Sequence, residues 1–308
     1  MNPELLISKA ILAPSGHNAQ AWKFSISDNG EITLSPDFSH SLPIIDPQNR
    51  ELFISLGCAL ENIAIYAHSM GFKPCINEEK GNITITCNEL APVAHKDLAQ
   101  AIDTRQTNRS IYNGKMIPLK DLFKLKTGGV CIYPNGSEDF AQISKLVELA
   151  NYIQLSDKGF KNELKQWLRY NDKEAELHRD GLNYNALGTI NIPPFLRKIA
   201  VSLGLNSSTQ NASDTKKILS SSHLAIFTGN DTISEWINVG RYLEHFLLCA
   251  ETMGIACAYM NQPCEVPSIR NILKESLNLN EQPQIIVRLG YAERAPKSHR
   301  RPLSTFFI

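Results

Sequence analysis

The sequence of 308 residues lacks the features that mark several common classes of protein. Basic and acidic residues balance at 31 each, so the net charge gives no reason to expect a nucleic-acid partner. The seven cysteines are odd in number and form no C-x-x-C pair, which argues against a disulfide framework and a structural zinc site. No apolar run approaches about 18 residues, and Glu4 and Lys9 interrupt the first one. We therefore expect a cytoplasmic protein with no signal peptide, no membrane span and no bound metal.

Several catalytic motifs are also missing from the sequence. It contains no G-x-G-x-x-G after a strand pattern, no G-x-x-x-x-G-K-[ST], no H-E-x-x-H and no G-x-S-x-G. The eight histidines are scattered and form no recognisable metal-binding set with carboxylates. These absences argue against a Rossmann dehydrogenase, a P-loop NTPase, a zincin and an α/β-hydrolase.

Two segments of the chain repeat each other at a constant offset of 183 residues. Six identities fall in a 15-residue window, where about one would be expected by chance. The repeated residues are Gly57, Leu60, Glu61, Ala67, Met70 and Gly71, opposite Gly240, Leu243, Glu244, Ala250, Met253 and Gly254. This match predicts an internal duplication, whereas two unrelated amphipathic helices with coincident residues are the alternative.

Both repeated segments have the apolar spacing of a helix. Apolar residues recur in steps of 4, 3, 4 and 3 from Leu56 and again from Val239. Gly71 and Gly254 stand where a left-handed residue would end each helix. Because most other positions are also apolar, we expect two central helices that pack about a pseudo-twofold axis, like a dimer fused into one chain.

Strand patterns flank both helices, which predicts an α+β sandwich of sheets and helices. The strand patterns are Ala21 to Ile26, Glu31 to Leu34, Asn82 to Cys87, His223 to Thr228 and Gln284 to Tyr291. The predicted halves are residues 1–100 and 101–308. Residues 142–211 have no counterpart in the first half and form an insertion, which the sequence leaves open as a lid, an interface arm or a mobile excursion.

Three further segments have the chemistry of a binding site. The loop from Pro14 to Trp22 follows an N-terminal helix pattern and has open backbone amides and the side-chain amides of Asn18 and Gln20. Arg105 and Arg109 flank Thr107, an arrangement suited to phosphate. The C-terminal tail ends with the basic sequence KSHRRPL. Alone, the first segment is equally typical of a capped loop, whereas an isolated R-x-x-x-R and a basic tail are more often solvated.

Together these segments resemble the FMN-dependent nitroreductase superfamily. The R-x-[ST]-x-R stretch, followed by Tyr112 and by Met116-Ile117-Pro118, resembles its opening motif. The P-S-x-x-N-x-Q-x-W loop, the L-x-x-A-x-x-x-G helix and the terminal L-G-Y…R-R-P-L are similar to its other landmarks. The P-S loop precedes the arginine motif here, an order that resembles the fused two-half Acg-type branch. The resemblance covers most of the chain except residues 142–211, and it implies a nitroreductase-like fold in which one chain mimics the family's homodimer.

The resemblance implies FMN as the cofactor and assigns its phosphate to the arginines. Arg105 and Arg300 are implied to bind the phosphate, with Arg301 as a further candidate. Thr107 is implied to bind the phosphate or the ribityl chain.

The remaining implied residues surround the flavin ring. Arg109 and Lys217 are implied at the pyrimidine edge, and Gln20 is implied to support the loop that lines the ring. The lining residues are Pro14, Ser15, Gly16 and Asn18. The segment Tyr259 to Gln262, which includes Asn261, matches the place where a backbone amide faces flavin N5.

The implied activity is an NAD(P)H oxidoreductase that passes hydride through flavin N5 to a nitroaromatic, a quinone or a similar small acceptor. No catalytic side chain is predicted, because the cofactor carries the chemistry. One complete FMN site across a pseudo-dimer, with the second site lost, would make the chain a monomer.

Two alternatives stay open on the sequence. If the 142–211 insertion closes over the cofactor, the protein would bind or sequester flavin without catalysis. A fold that has lost flavin is the third reading. Asp214 stands where an amide often stands and would repel a reduced, anionic flavin, and Ala21 replaces the usual proline before Trp22.

Overall fold

A computed structural model describes residues 1–183 and 206–308 of the chain. The chain forms two compact units. The first unit comprises Met1–Arg105, Asp231–Thr252 and Arg300–Ile308, and the second comprises Gln106–Asn230 and Met253–His299.

The described residues form helices and strands in both units. The helices are α1 Pro3–Ala10, α2 Arg50–Ser69, α3 Lys96–Thr104, α4 Leu119–Lys124, α5 Glu138–Ser156, α6 Lys158–Trp167, α7 Asp172–His178, α8 Ser207–Leu219, α9 Ile233–Thr252, α10 Gln262–Glu265 and α11 Pro267–Ser276. The strands are β1 Trp22–Ile26, β2 Ile32–Pro36, β3 Phe72–Glu79, β4 Asn82–Leu90, β5 Val130–Pro134, β6 Leu168–Arg169, β7 Leu182–Asn183, β8 His223–Gly229, β9 Ala256–Tyr259 and β10 Gln282–Gly290.

The first unit contains an antiparallel sheet with strand order β1-β2-β4-β3. Its first hairpin turns at Gly30, whose φ of 80° is easily adopted by glycine. Trp22 and Phe24 on β1 and Ile32 and Leu34 on β2 are buried, so one face of the hairpin belongs to the core. The strand patterns from Ala21 to Ile26 and from Glu31 to Leu34, which with the turn at Gly30 predict a hairpin, are confirmed.

Helices α2 and α9 pack together in the centre of the first unit. The glycines that follow them, Gly71 and Gly254, have φ values of 81° and 68°, as predicted for left-handed helix ends. Among the described residues, only α2 is long and apolar enough to span a membrane by length and composition. Because 83% of that stretch is buried inside the protein, α2 has the burial of a core helix.

The two central helices cross at a pair of glycines. A side chain at Gly57 would overlap the carbonyl oxygen of Ile237, and one at Gly240 would overlap the carbonyl oxygen of Ile54. A Cβ on either glycine would also lie 2.9 Å from the Cα of the other. The contact is therefore reciprocal, and its four residues obey the 183-residue offset. This symmetry supports the predicted duplication, which stays a prediction.

The second unit contains an antiparallel sheet with strand order β5-β8-β10-β9. Strands β8 and β10 are almost wholly buried, as their continuous apolar sequences predict. A hydrophobic cluster joins α5 and α11 to this sheet through residues such as Ile143, Ile269 and Ile286. A short parallel pair, β6 and β7, stands apart from the main sheet.

The α+β class is confirmed, and two local predictions need correction. Strand β3 was not predicted, because its sequence is largely polar and only alternate residues are partly buried. The charged sequence from Lys158 to Arg179 predicts a helical run, but the structure has two helices there, because α6 ends at Trp167 and Asn171 caps α7 by accepting the Glu174 N–H at 3.0 Å. Of the predicted insertion 142–211, residues 184–205 lie outside the described residues. The predicted halves differ in extent from the compact units, since α9 belongs to the first unit.

Candidate functional site

In the first unit, two predicted phosphate ligands meet at the loop that follows α1. Arg300 donates hydrogen bonds to the carbonyls of Ile11 at 2.9 Å, Leu12 at 2.9 Å and Ala13 at 3.0 Å. Arg105 donates to the same Leu12 carbonyl at 3.0 Å. The two arginines belong to different stretches of the first unit, and both hold the same stretch of backbone.

The loop that follows α1 has an uncommon backbone conformation. His17, Asn18 and Gln20 have φ values of 49°, 55° and 54°, a region that non-glycine residues adopt rarely. Asn18 Oδ1 accepts a hydrogen bond from Arg300 Nη1 at 2.9 Å. The N–H of Gln20 donates to Ser15 Oγ at 2.9 Å. Such strain persists only where surrounding contacts enforce it, and it occurs most often at binding sites.

Gln20 and Arg301 join the loop to the C-terminal tail. Gln20 is fully buried, and its Oε1 accepts the Arg301 N–H at 2.9 Å. Arg301 Nη2 donates to the Gln20 carbonyl at 2.6 Å, and the guanidinium lies 4.7 Å from the Phe306 ring. Gln20 and Arg301 therefore hold the loop and the tail together through these contacts.

Arg105 is also ion-paired inside the first unit. Its Nε lies 3.2 Å from Oε1 of Glu244, a carboxylate with no exposed surface. Burial raises the pKa of Glu244, and the charge of Arg105 opposes that rise. Glu61, the repeat counterpart of Glu244, accepts a hydrogen bond from Arg241 Nε at 3.0 Å. Each repeated glutamate therefore binds an arginine. The arginine bound by Glu244 is Arg105, a predicted phosphate ligand.

In the second unit, the part of the arginine motif that follows Arg105 lies beside β9. Thr107 forms an isolated β-bridge with Cys257, and the Asn108 N–H donates to the Cys257 carbonyl at 2.8 Å. Asn108 Nδ2 also donates to the Glu293 carbonyl at 2.7 Å. These bonds fix the backbone on the N-terminal side of Arg109.

Sequence reasoning missed Arg288, which lies on β10 with no exposed surface. Its Nη2 donates to the carbonyls of Asn108 at 3.2 Å and Ser110 at 2.7 Å, and its Nη1 to that of Lys217 at 3.4 Å. The guanidinium lies 3.9 Å from the centre of the Tyr112 ring. The available signal was an arginine inside the otherwise apolar strand sequence IIVRLG.

The second unit therefore contains a cationic cluster, which we define as Arg109, Lys217 and Arg288. Neither the Arg109 guanidinium nor the Lys217 ammonium makes a hydrogen bond or ion pair with any residue in the ranges 1–183 and 206–308. Burial lowers the pKa of all three groups, and the charge of Arg288 lowers those of Arg109 and Lys217 further.

A buried carboxylate, Asp214, adjoins the cationic cluster. Its Oδ2 accepts hydrogen bonds from Asn151 and Gln210 at 3.0 Å each and from Gln262 at 3.1 Å. Because the carboxylate engages the Gln262 amide nitrogen, Gln262 Oε1 is left buried with no hydrogen-bond donor among the described residues. Asn261 has a structural contact instead, since its Oδ1 accepts the Ile286 N–H at 3.1 Å.

The predicted site residues thus fall into two sets. The set in the first unit is Pro14, Ser15, Gly16, Asn18, Gln20, Arg105, Arg300 and Arg301. The set in the second unit is Thr107, Arg109, Lys217, Asn261 and Gln262. No group of three or more His, Cys, Asp or Glu side chains in the described part of the chain is arranged to hold a metal ion.

Comparison with known proteins adds relatives that match nearly the full chain, although no family model matches. A Mycobacterium tuberculosis protein provisionally named NAD(P)H nitroreductase Rv3131 is 27% identical over 319 residues, which cover 97% of this chain and 89% of the relative. The protein provisionally named NAD(P)H nitroreductase acg, from the same organism, is 23% identical over 323 residues, 98% of this chain and 93% of its own.

Among solved structures, the FMN-dependent nitroreductase NfnB of Mycobacterium smegmatis in complex with NADPH matches 68% of this chain and 96% of its own. The TM-score is 0.43 at 14% identity. The sequence matches to these two relatives are long enough to include both compact units. Over nearly its full length, the chain is therefore similar in sequence to proteins provisionally named NAD(P)H nitroreductases, acg among them.

Proposed function

We propose that the protein is an FMN-dependent NAD(P)H oxidoreductase. The observation that carries this proposal is the cationic cluster, three buried or partly buried positive charges beside one carboxylate. One carboxylate offsets only part of this charge, and the excess of buried positive charge is costly, so a cluster of this kind favours an anionic ligand. The provisional NAD(P)H nitroreductase names of the relatives support the same assignment.

The donor and acceptor groups of the second unit fit a flavin. Arg109 and Lys217 offer charged donors without described partners, and Gln262 Oε1 offers a buried acceptor without a donor. The pyrimidine edge of an isoalloxazine ring has carbonyl oxygens and one N–H, which complement such a set. When bound, FMN would accept hydride from NAD(P)H and deliver electrons to a nitroaromatic, a quinone or a similar small acceptor.

For the individual residues we propose the roles that the family resemblance implies. Arg109 and Lys217 bind the pyrimidine edge and stabilise the negative charge that it acquires on reduction. Thr107 binds the phosphate or the ribityl chain. Arg105 and Arg300 bind the phosphate, with Arg301 as a further candidate, while they also hold the loop after α1. Pro14, Ser15, Gly16 and Asn18 line the ring, Gln20 supports their loop, and a backbone amide of the segment that includes Asn261 faces N5.

FMN titration of the apoprotein, followed by flavin fluorescence, tests this proposal. We expect Lys217→Met to weaken FMN binding by about 1.5–3 kcal/mol, the value of a charge-assisted hydrogen bond and roughly a 10- to 150-fold loss of affinity. Lys216→Met is the matched control, because the neighbouring lysine is exposed. A wild-type protein that ignores added FMN, or equal losses in both variants, would refute the proposal.

Non-catalytic flavin binding is a second candidate function, favoured by Asp214. Its buried negative charge adjoins the cationic cluster and would oppose reduction of a bound flavin. Rapid mixing of the FMN-loaded protein with NADPH or NADH, followed at the flavin absorbance band, separates the two functions. Bleaching within seconds supports the oxidoreductase, whereas no bleaching supports the binder.

A further inference from the structure

Arg288 connects two parts of the second unit that are far apart in sequence. Its guanidinium donates to the carbonyls of Asn108 and Ser110, the two neighbours of Arg109. It also donates to the carbonyl of Lys217. Arg288 therefore restrains the backbone at Lys217 and on both sides of Arg109, the other two cations of the cluster.

A planar guanidinium is suited to this task. Its N–H groups point in fixed directions, so one side chain can restrain several carbonyls at once. Nη2 binds on both sides of Arg109 at 3.2 and 2.7 Å, and Nη1 reaches Lys217 at 3.4 Å. A lysine at this position would keep the charge and lose the planar arrangement.

Tyr112 and Gly290 hold the guanidinium from the other side. The Tyr112 ring stacks on Arg288 at 3.9 Å, and the Tyr112 hydroxyl donates to the Asn108 carbonyl at 2.9 Å. Gly290 lies two residues along the same face of β10, where a Cβ would come within 2.5 Å of the ring. Only glycine leaves room for the ring in this position.

The arrangement has an electrostatic cost that a purely structural contact would avoid. Arg288 carries a third positive charge beside Arg109 and Lys217, and it disfavours the charged form of both. An apolar or neutral residue could pack in the same strand without this repulsion. An anionic ligand would offset the cost, and more so after it gains negative charge.

We propose that Arg288 is a positioning residue, which holds Arg109 and Lys217 in place for an anionic ligand and adds its charge to theirs. The identity of that ligand as FMN rests on the proposed function. The positioning of the two backbone segments does not depend on it.

The first measurement is amide hydrogen exchange of the apoprotein, which needs no cofactor. We expect Arg288→Lys and Arg288→Gln to raise the exchange of residues 109–112 and 217–222 at least tenfold relative to the wild type. Arg270→Gln is the matched control, since Arg270 Nε also donates to a β10 carbonyl, that of Pro283, at 2.7 Å. Wild-type exchange in both Arg288 variants would overturn the positioning role.

The second measurement compares the affinities of oxidised and reduced FMN. We expect both Arg288 variants to bind oxidised FMN at least tenfold more weakly, with a further tenfold loss for reduced FMN in Arg288→Gln, which also lacks the charge. Equal losses for both redox forms in Arg288→Gln would refute the electrostatic part. If the wild type binds no FMN, the proposed function fails while the exchange data still decide the positioning role.

If the Arg288 variants do not fold, the Gly290→Ala variant provides an independent test of the same contact. It displaces the Tyr112 ring and leaves the guanidinium in the sequence. Raised exchange at residues 109–112 supports the inference, and unchanged exchange contradicts it.

Discussion

Replacing Gly57 or Gly240 with alanine should strongly destabilise the first unit. The Cβ of either alanine would overlap a carbonyl oxygen of the facing helix and lie 2.9 Å from the facing glycine Cα. Neither obstacle is a flexible side chain, so relief requires the two helices to move apart by about 1 Å. The movement would loosen the apolar contacts along α2 and α9, which are buried over most of their length.

The magnitude follows from two opposing effects. Overpacking of a well-filled core costs about 1–3 kcal/mol and sometimes more. Alanine recovers about 0.8–1 kcal/mol of helix propensity relative to glycine. Because the obstruction is backbone against backbone, we expect the upper part of the range, a net loss of about 2 kcal/mol or more for each variant.

Urea unfolding followed by tryptophan fluorescence measures this loss, and Trp22 and Trp236 both lie in the first unit. The reciprocal geometry predicts equal losses for Gly57→Ala and Gly240→Ala. The double variant should lose less than the sum, because the first alanine has already separated the helices. A change under about 0.5 kcal/mol in either single variant would refute the reasoning, since exposed substitutions have effects of that size.

Three further predictions concern charges. Arg105→Ala should weaken FMN binding by about 1.5–3 kcal/mol in a fluorescence titration, and unchanged affinity would contradict its assignment to the phosphate. Hydrogen bonds with Cys249 and Glu61 raise the pKa of His245 to about 10. The stability that protonated His245 contributes is therefore complete below about pH 6.5 and is lost as the pH rises towards 10, at up to about 1.4 kcal/mol per pH unit. Urea midpoints from pH 6.5 to 10 should fall with this slope, and a His245→Asn variant with the same slope would disprove the link. Asp214→Asn should tighten the binding of reduced FMN more than that of oxidised FMN, which equilibrium redox titration would detect as a higher reduction potential.

The elements that could be predicted from sequence are those with a local cause. The hairpin at Gly30, the apolar spacing of α2 and α9 and the glycines after them all depend on neighbours within a few residues. The loop after α1 was found as a motif, but its left-handed Asn18 is held by Arg300, which is 282 residues away in sequence.

Arg288 shows why part of the site could not be predicted. Its partners are carbonyls near residues 108, 110 and 217, and no sequence pattern reveals which backbone groups a buried arginine will meet. The ion pair of Arg105 with Glu244 is similar, because the glutamate was identified only as part of a repeat. Buried polar contacts depend on tertiary structure, whereas the patterns of helices and strands do not.

The division of the first unit into three stretches of chain governs the order in which it can form during synthesis. The ribosome produces α2 early, but the helix that covers its glycine face begins at Ile233, and the tail that binds Gln20 follows residue 299. The N-terminal stretch must therefore wait, with apolar surface uncovered, until α9 and then residues 300–308 have been made. The second unit is interrupted by α9 but ends before residue 300, so it can complete its sheet first and leave the first unit to close around residues 300–308.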